Sequence, residues 1–254
     1  MSEFAVITGG NTGIGRHLVT AFAEAGYAVA FSYKYDDEAA RSLVESIETA
    51  GGQALGLLCD VGVKAEVEDF FDEACSWFGD APDALINNAG IQTWGSLLEL
   101  SEEDWDDVIR VNLKGCFLNT QAAAKRMVDA DKNGSIVNIG SGCNKLAFPK
   151  LVSYTASKGG IEQFTKVSAV ELGPNGIRVN CIAPGAILNE RTALEQEDYA
   201  GTWARITPLR RVGTPEDLSG PALFLASEAA RFVTGQTIWV DGGVFSQANW
   251  PYQN

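Results

Sequence analysis

Short apolar runs alternate with helix-periodic stretches from one end of the chain to the other. Phe4–Thr8 reads as a buried strand. Beyond Gly13, the residues Ile14, Leu18, Ala21, Phe22 and Ala25 recur at the spacing of one helix face, and Gly26 closes that helix. The pattern then predicts a strand over Ala28–Ser32, a polar helix over Asp37–Ala50, a strand over Ala54–Asp60, a helix over Lys64–Phe78 and a strand over Ala84–Asn87. Ser101 stands three residues before Asp104, a capping-box spacing that starts a helix near Glu102. Strands over Ser135–Ile139, Ile177–Ile182 and Thr237–Val240 complete the set, with a long helix over about Tyr154–Leu172.

Strands that are apolar throughout must be covered on both faces, so the alternation predicts an α/β fold. The expected architecture is a single doubly wound Rossmann-type domain, with a parallel sheet of about seven strands and helices on both faces. No repeat, low-complexity tract or linker divides residues 1–254. Only 186–215 breaks the rhythm; it is too long for a plain connection and suggests a lid or binding loop.

Composition narrows the function classes. The 254 residues are 46% hydrophobic and 20% charged, as in ordinary globular proteins, and no apolar run approaches the ~18 residues of a membrane span. The net charge of −14 leaves no basic footprint for a phosphate backbone, so nucleic acid is not an expected partner. Five scattered cysteines without a CxxC pair suit reduced thiols and a cytoplasmic location. Met1-Ser2-Glu3 runs directly into the first strand, so no targeting segment is expected. His17 is the only histidine; it rules out a His-rich metal site, and any His-dependent triad would have to use it. No metal is expected.

Thr8-Gly9-Gly10-Asn11-Thr12-Gly13-Ile14-Gly15 lies where the first strand turns into the first helix. Glycines there permit a tight turn and close backbone approach to a pyrophosphate, which the helix N-terminus attracts; the plain alternative is a glycine-rich turn. Tyr154 and Lys158 stand four apart on a predicted helix and share a face. An ammonium beside a phenol favours phenolate and suits a tyrosine to acid–base work, although a surface lysine gives the same spacing. Ser141 follows the fifth strand at the sheet edge where open α/β folds bind ligands; it reads equally as a turn residue in Gly140-Ser141-Gly142. Asn87-Asn88-Ala89-Gly90 ends the fourth strand at that edge, and an Asx turn explains it as well. Asn112 is a poor helix former within a predicted helix, either for a specific hydrogen bond or because it is solvated.

Together these residues resemble the short-chain dehydrogenase/reductase family over essentially the whole chain. The family's TGxxxGxG turn matches Thr8–Gly15, its Asp after strand three matches Asp60, NNAG matches Asn87–Gly90, and PG after strand six matches Pro184-Gly185. Its Asn, Ser, Tyr, Lys tetrad falls on Asn112, Ser141, Tyr154 and Lys158. The resemblance implies hydride transfer between a nicotinamide and a carbinol or carbonyl carbon. Tyr154 would exchange the proton, and Ser141 would hold the developing oxygen charge. Lys158 would support Tyr154 and reach the ribose, and Asn112 would hold a water linking Lys158 to solvent. Cofactor contacts are expected at Gly9, Asn11, Thr12, Gly13, Ile14, Gly15, Tyr33, Lys34, Asp60, Val61, Asn88, Ala89, Gly90, Tyr154, Lys158, Pro184, Gly185 and Ile187.

NAD-specific relatives usually carry an acid at the end of strand two. Here Phe31-Ser32-Tyr33-Lys34-Tyr35 has none before Asp36, and Lys34 would suit a 2′-phosphate. NADP(H) is therefore favoured, with NAD(H) possible because Thr12 stands where many NADP users have Arg or Lys. Within the family the chain is most similar to the bacterial glucose 1-dehydrogenase-like group, through the stretches Ser141–Pro149, Tyr154–Gly160, Ile91-Gln92 and Ala183–Ile187. The expected substrate is a small sugar or polyol held at Gln92, Ser141, Asn144, Lys145 and Tyr154. Asn189, Glu190 and Arg191 would add polar groups at the mouth. Trp94, Tyr199 and Trp203 would either stack on a sugar ring or form lid core. A 3-oxoacyl-thioester reductase shares every motif, but an acidic carrier protein would meet a chain of −14 with net repulsion. A non-catalytic dinucleotide sensor would usually lack the Tyr or the Lys. The resemblance also implies a homotetramer, with the apolar tail Phe245–Tyr252 buried against a partner.

Overall fold

The structure is a computed structural model and describes residues 3–248. Seven strands form one parallel sheet in the order 3-2-1-4-5-6-7: β1 Phe4–Ile7, β2 Ala28–Tyr33, β3 Gln53–Leu58, β4 Ala84–Asn87, β5 Gly134–Ile139, β6 Ile177–Pro184 and β7 Thr237–Val240. Successive side chains of a strand face opposite sides. In β1, Ala5 and Ile7 join Leu18, Phe22, Leu43 and Leu218 on one face. Phe4 and Val6 join Phe70, Phe71, Leu118 and Met127 on the other. Two buried layers on one sheet are why its inner strands are predominantly apolar, the buried exceptions such as Asn87, Asn138 and Asn180 being hydrogen-bonded.

The first face is covered by α1 Gly13–Glu24, α2 Asp37–Thr49 and α8 Glu216–Ala226, and the second by α3 Lys64–Phe78, α5 Gly115–Asp129 and α6 Val152–Leu172. α4 Glu102–Val108 begins on Ser101, whose hydroxyl accepts the Asp104 N–H at 3.0 Å, and runs into α5 through one wider π-type turn, Ile109–Lys114.

The predicted third strand stops short of Asp60: it ends at Leu58, the Cys59 N–H still reaches the Tyr33 carbonyl at 2.8 Å, and the Asp60 N–H bonds the Glu66 carboxylate at 2.7 Å. The 186–215 stretch is ordered into a single 3₁₀ turn at Thr192–Leu194 and the helix α7 Tyr199–Ile206. Its two ends are pinned together where Ile187 pairs with Gly213. Trp250 and Tyr252 lie outside the described residues. Phe245 is partly buried within the chain, against Phe148 and Trp239.

Candidate active site

β1 pairs with both β2 and β4, so the chain leaves the sheet in opposite directions on either side of β1. Open α/β sheets bind ligands in the crevice this reversal creates. Here it is a cavity of about 650 Å³ at the carboxyl ends of the strands.

The glycine turn forms one end. Gly9 takes φ +63°, where only glycine is comfortable, and lies against Ala89. A Cβ on Gly15 would run into the Gly9 carbonyl, whereas one on Gly13, at φ +52°, would meet only the ends of Asn189 and Glu190 at 3.9 and 4.0 Å. The first turn of α1 has no side-chain cap from Thr12 and no acid, unlike α2, whose Asp36 accepts the Ala39 N–H at 3.0 Å. A 12-residue helix with a bare N-terminus opening into a cavity fits the pyrophosphate of a dinucleotide. Asn11 sets the next wall by donating to the carbonyls of Tyr35 (2.6 Å) and Asp36 (3.2 Å), which holds the β2–α2 turn beside the cradle.

Lys34 is not simply solvated. Its Nζ lies 2.7 Å from Asp60 Oδ2, and Arg110 bonds both oxygens of the same carboxylate at 3.0 Å. Burial pushes the Asp60 carboxyl up, but the bonds from Lys34, the Gly62 N–H and Arg110 outweigh it and hold it below the usual carboxylate range. The Lys34 ammonium is correspondingly raised, chiefly by its bond to Asp60. Tyr33, Lys34, Asp60 and Val61 all line the cavity.

Asn88 closes the floor. Its side chain donates to the Thr8 and Gly9 carbonyls at 3.0 Å, while the Asn88 and Ala89 N–H groups both reach Thr8 Oγ1 at 3.0 Å. Gly90, Pro184, Gly185 and Ile187 complete the lining at that end. Asn112 is 1% exposed, which removes the solvated reading. It accepts from the Ile91 N–H (2.8 Å), donates to the Ile91 carbonyl (2.9 Å) and donates to Ser157 Oγ (3.1 Å). It lies behind the cavity wall and ties the Asn87–Gly90 loop to α6.

Ser141, Tyr154 and Lys158 line the same cavity. Lys158 is 4% exposed, donates to the Ile139 carbonyl at 2.7 Å, and sits 5.5 Å from the Tyr154 ring centre. The Ser141 oxygen accepts the Cys143 N–H at 3.2 Å, so its own proton is free to donate. Gln92 also faces the cavity.

Two expected substrate contacts are corrected. Asn144 does not reach the cavity: its carbonyl oxygen accepts the Ser141 N–H (3.1 Å) and its amide donates to Cys181, so it braces Ser141 from behind. Lys145 lies over the Trp239 ring, 5.7 Å from its centre, and is likewise off the lining. Phe148 and Phe245 do line the cavity, and the sequence reading assigned neither to it. A signal existed for Phe245: β7 ends at the same carboxyl edge as the other strands, so the turn after it emerges beside the site.

Trp94, Tyr199 and Trp203 line the cavity too, with Tyr199 and Trp203 ring centres 6.3 Å apart. Burial, reinforced by Glu195, pushes the Tyr199 phenol up to about 12, so it is a protonated donor at neutral pH. Burial also raises the Cys143 thiol beside Ser141. Among the described residues no cluster of three His, Cys, Asp or Glu could hold a metal, no helix is long and apolar enough to cross a membrane, and all five cysteines are unpaired.

Comparison with known proteins decides the family. Residues 9–245 match a family model described as enoyl-(acyl carrier protein) reductase. The chain is 37% identical over 245 residues to the 3-oxoacyl-(acyl-carrier-protein) reductase of Staphylococcus epidermidis, covering 96% of this chain and 100% of that protein. A short-chain type dehydrogenase/reductase from Mycobacterium marinum superposes with a TM-score of 0.90 at 36% identity, covering 95% of each chain. The protein belongs to the short-chain dehydrogenase/reductase family. A gluconate 5-dehydrogenase from Burkholderia cenocepacia, solved with NADP and tartrate, is equally similar (TM-score 0.90, 37% identity, 97% of this chain and 96% of that one). As a short-chain dehydrogenase/reductase, the chain is an NAD(P)-dependent oxidoreductase acting on hydroxyl and carbonyl groups.

Proposed function

We propose that this short-chain dehydrogenase/reductase interconverts a carbinol and a carbonyl on a small sugar or polyol, with NADP(H) as the favoured cofactor. The observation that carries the reading is the convergence of Ser141, Tyr154 and Lys158 on one cavity with the glycine cradle. Tyr154 gives a proton to the substrate oxygen or takes one from it, and Ser141 donates to the same oxygen as charge develops there. Lys158, buried and anchored on the Ile139 carbonyl, is held beside the Tyr154 ring. The nicotinamide, when bound, supplies or accepts the hydride. The NADP preference rests on Lys34, the cation at the end of β2, with Arg110 close enough to satisfy Asp60 when Lys34 turns to a 2′-phosphate.

The polyol reading is supported by polar groups on the cavity lining that can bond hydroxyls, Gln92, Asn189, Glu190, Arg191 and the Tyr199 hydroxyl, beside the rings of Trp94 and Trp203. The Burkholderia gluconate 5-dehydrogenase is a comparably similar neighbour. Reduction of 3-oxoacyl thioesters is the second reading, favoured by the Staphylococcus reductase at equal identity. The net charge of −14 opposes docking of an acidic carrier. We further propose a homotetramer in the cytoplasm. The long helices α5 and α6 expose Phe117 (43%) and Val170 (77%), apolar surface that a second copy would bury.

The test follows nicotinamide absorbance with aldoses and sugar acids in the presence of NADP+ or NAD+, and with 3-oxoacyl thioesters in the presence of NADPH or NADH. Turnover of a sugar with NADP supports the reading, and turnover of thioesters alone replaces it with the second. Tyr154→Phe is expected to abolish turnover while leaving dinucleotide binding intact; an active variant would remove Tyr154 from the proton step.

A further inference from the structure

Behind β7 the chain makes a tight turn that brings an aromatic ring back over the catalytic loop. Asp241 builds the turn: its carboxylate accepts the Gly243 N–H at 2.8 Å and the Phe245 N–H at 3.0 Å, while Gly242 and Gly243 take φ +61° and +87°. Two further glycines let this turn dock. A Cβ on Gly185 would approach Asp241 Cα to 2.7 Å, and a Cβ on Gly142 would overlap the Phe245 ring edge at Cε2 and Cζ. Gly142 directly follows Ser141, so the ring lies against the backbone that presents the Ser141 hydroxyl. Its remaining neighbours are edge-on aromatics, with Phe148 at 5.7 Å and 86° and Trp239 at 6.4 Å and 75°. Phe245 is thus held on three sides, and its free side lines the cavity that holds Tyr154.

We propose that Phe245 is a specificity-determining residue: a wall that limits the size of the group carried on the carbon that reacts at Tyr154. The inference rests on the reading of that cavity as the active site, but not on which of the two substrate classes is correct. A ring packed this closely cannot swing aside without displacing Gly142 or Phe148, so the wall is rigid, and a long substituent meets it in the ground state and the transition state alike. The enzyme therefore selects short substrates.

The experiment uses the full-length enzyme with NADPH and two esters that differ only in the chain on the ketone carbon, ethyl 3-oxobutanoate and ethyl 3-oxodecanoate. The wild type is expected to prefer the short ester. Phe245→Ala is expected to shift the ratio of kcat/KM toward the long ester by at least about tenfold, chiefly by lowering its KM, as removal of a hydrophobic obstacle should. Phe245→Leu, which keeps apolar bulk and so safeguards folding, should give a smaller shift in the same direction. Gly142→Ala should displace the ring without removing it and shift the ratio similarly. NADPH fluorescence on binding reports an intact fold in each variant. Turnover with an unchanged ratio in folded Phe245→Leu and Phe245→Ala would overturn the role of Phe245 alone. Absence of turnover with any carbonyl in the wild type would overturn the active-site reading itself.

Discussion

Asn112 makes three hydrogen bonds within the protein, two of them to the backbone of Ile91. That residue follows directly on the Asn87–Gly90 loop at the cavity floor. Asn112→Ala would remove both bonds to the partly exposed Ile91 backbone, at about 0.5–1.5 kcal/mol for each. The expected result is a lower melting temperature together with a lower kcat, since the loop and α6 lose their common tie. Asn112→Asp should recover part of both, because a carboxylate still accepts the Ile91 N–H. Unchanged stability in the alanine variant would show that the tie is dispensable. Asn144 makes the complementary point. Its polarity and position suggested a substrate contact, yet its side chain is consumed by Ser141 N–H and Cys181, and only the path of the backbone could reveal that.

At the scale of elements, α1 starts with neither a side-chain cap nor an acid, a bareness it shares with α6, while α2 and α4 are capped. Thr12 has the extended geometry of an N-cap (φ −138°, ψ 163°) but makes no capping bond. An aspartate there would cap the helix and complement its dipole, worth about 0.5–1 kcal/mol of stability. It would also place a negative charge where the pyrophosphate is read to bind. Thr12→Asp is therefore expected to raise the melting temperature of the free enzyme and to weaken dinucleotide binding by about tenfold or more. Calorimetry and fluorescence titration of one sample measure both. Tighter dinucleotide binding in this variant would place the phosphates elsewhere. The π-type turn at Ile109–Lys114 belongs to this scale too: it interrupts α4–α5 where Asn112 must reach Ile91, and such turns recur at functional sites.

For the molecule as a whole, ion pairs tie remote segments and set its response to acid. The Asp217 carboxyl is held down to about 2, chiefly by Arg211, and this pair ties the end of the 186–215 stretch to α8. Asp60 and Asp80 are also lowered. A carboxyl depressed in the folded state contributes stability that is complete above its unfolded value near 4 and is lost as pH falls through the folded value. The melting temperature is thus expected to decline between about pH 4 and pH 2. Asp217→Asn should flatten that decline and lower stability at neutral pH. An identical pH profile in the variant would exclude Asp217 from the acid response.

Much of this was legible in the sequence. Strands buried on both faces leave uninterrupted apolar runs, and helices covering them leave a 3.6-residue rhythm, so element order and the parallel doubly wound class followed directly. The glycine turn, Ser141, Tyr154 and Lys158 were legible because their chemistry is local, or because they stand at the ends of strands that share one edge. What only the tertiary structure decided was how side chains far apart in sequence pair. Lys34 meets Asp60 and Arg110, Asn144 turns inward while Phe148 turns toward the cavity, and Phe245 comes back from the last turn to lie on Gly142. The physical reason is that periodicity reports which face of an element is buried, not which distant partner it is buried against.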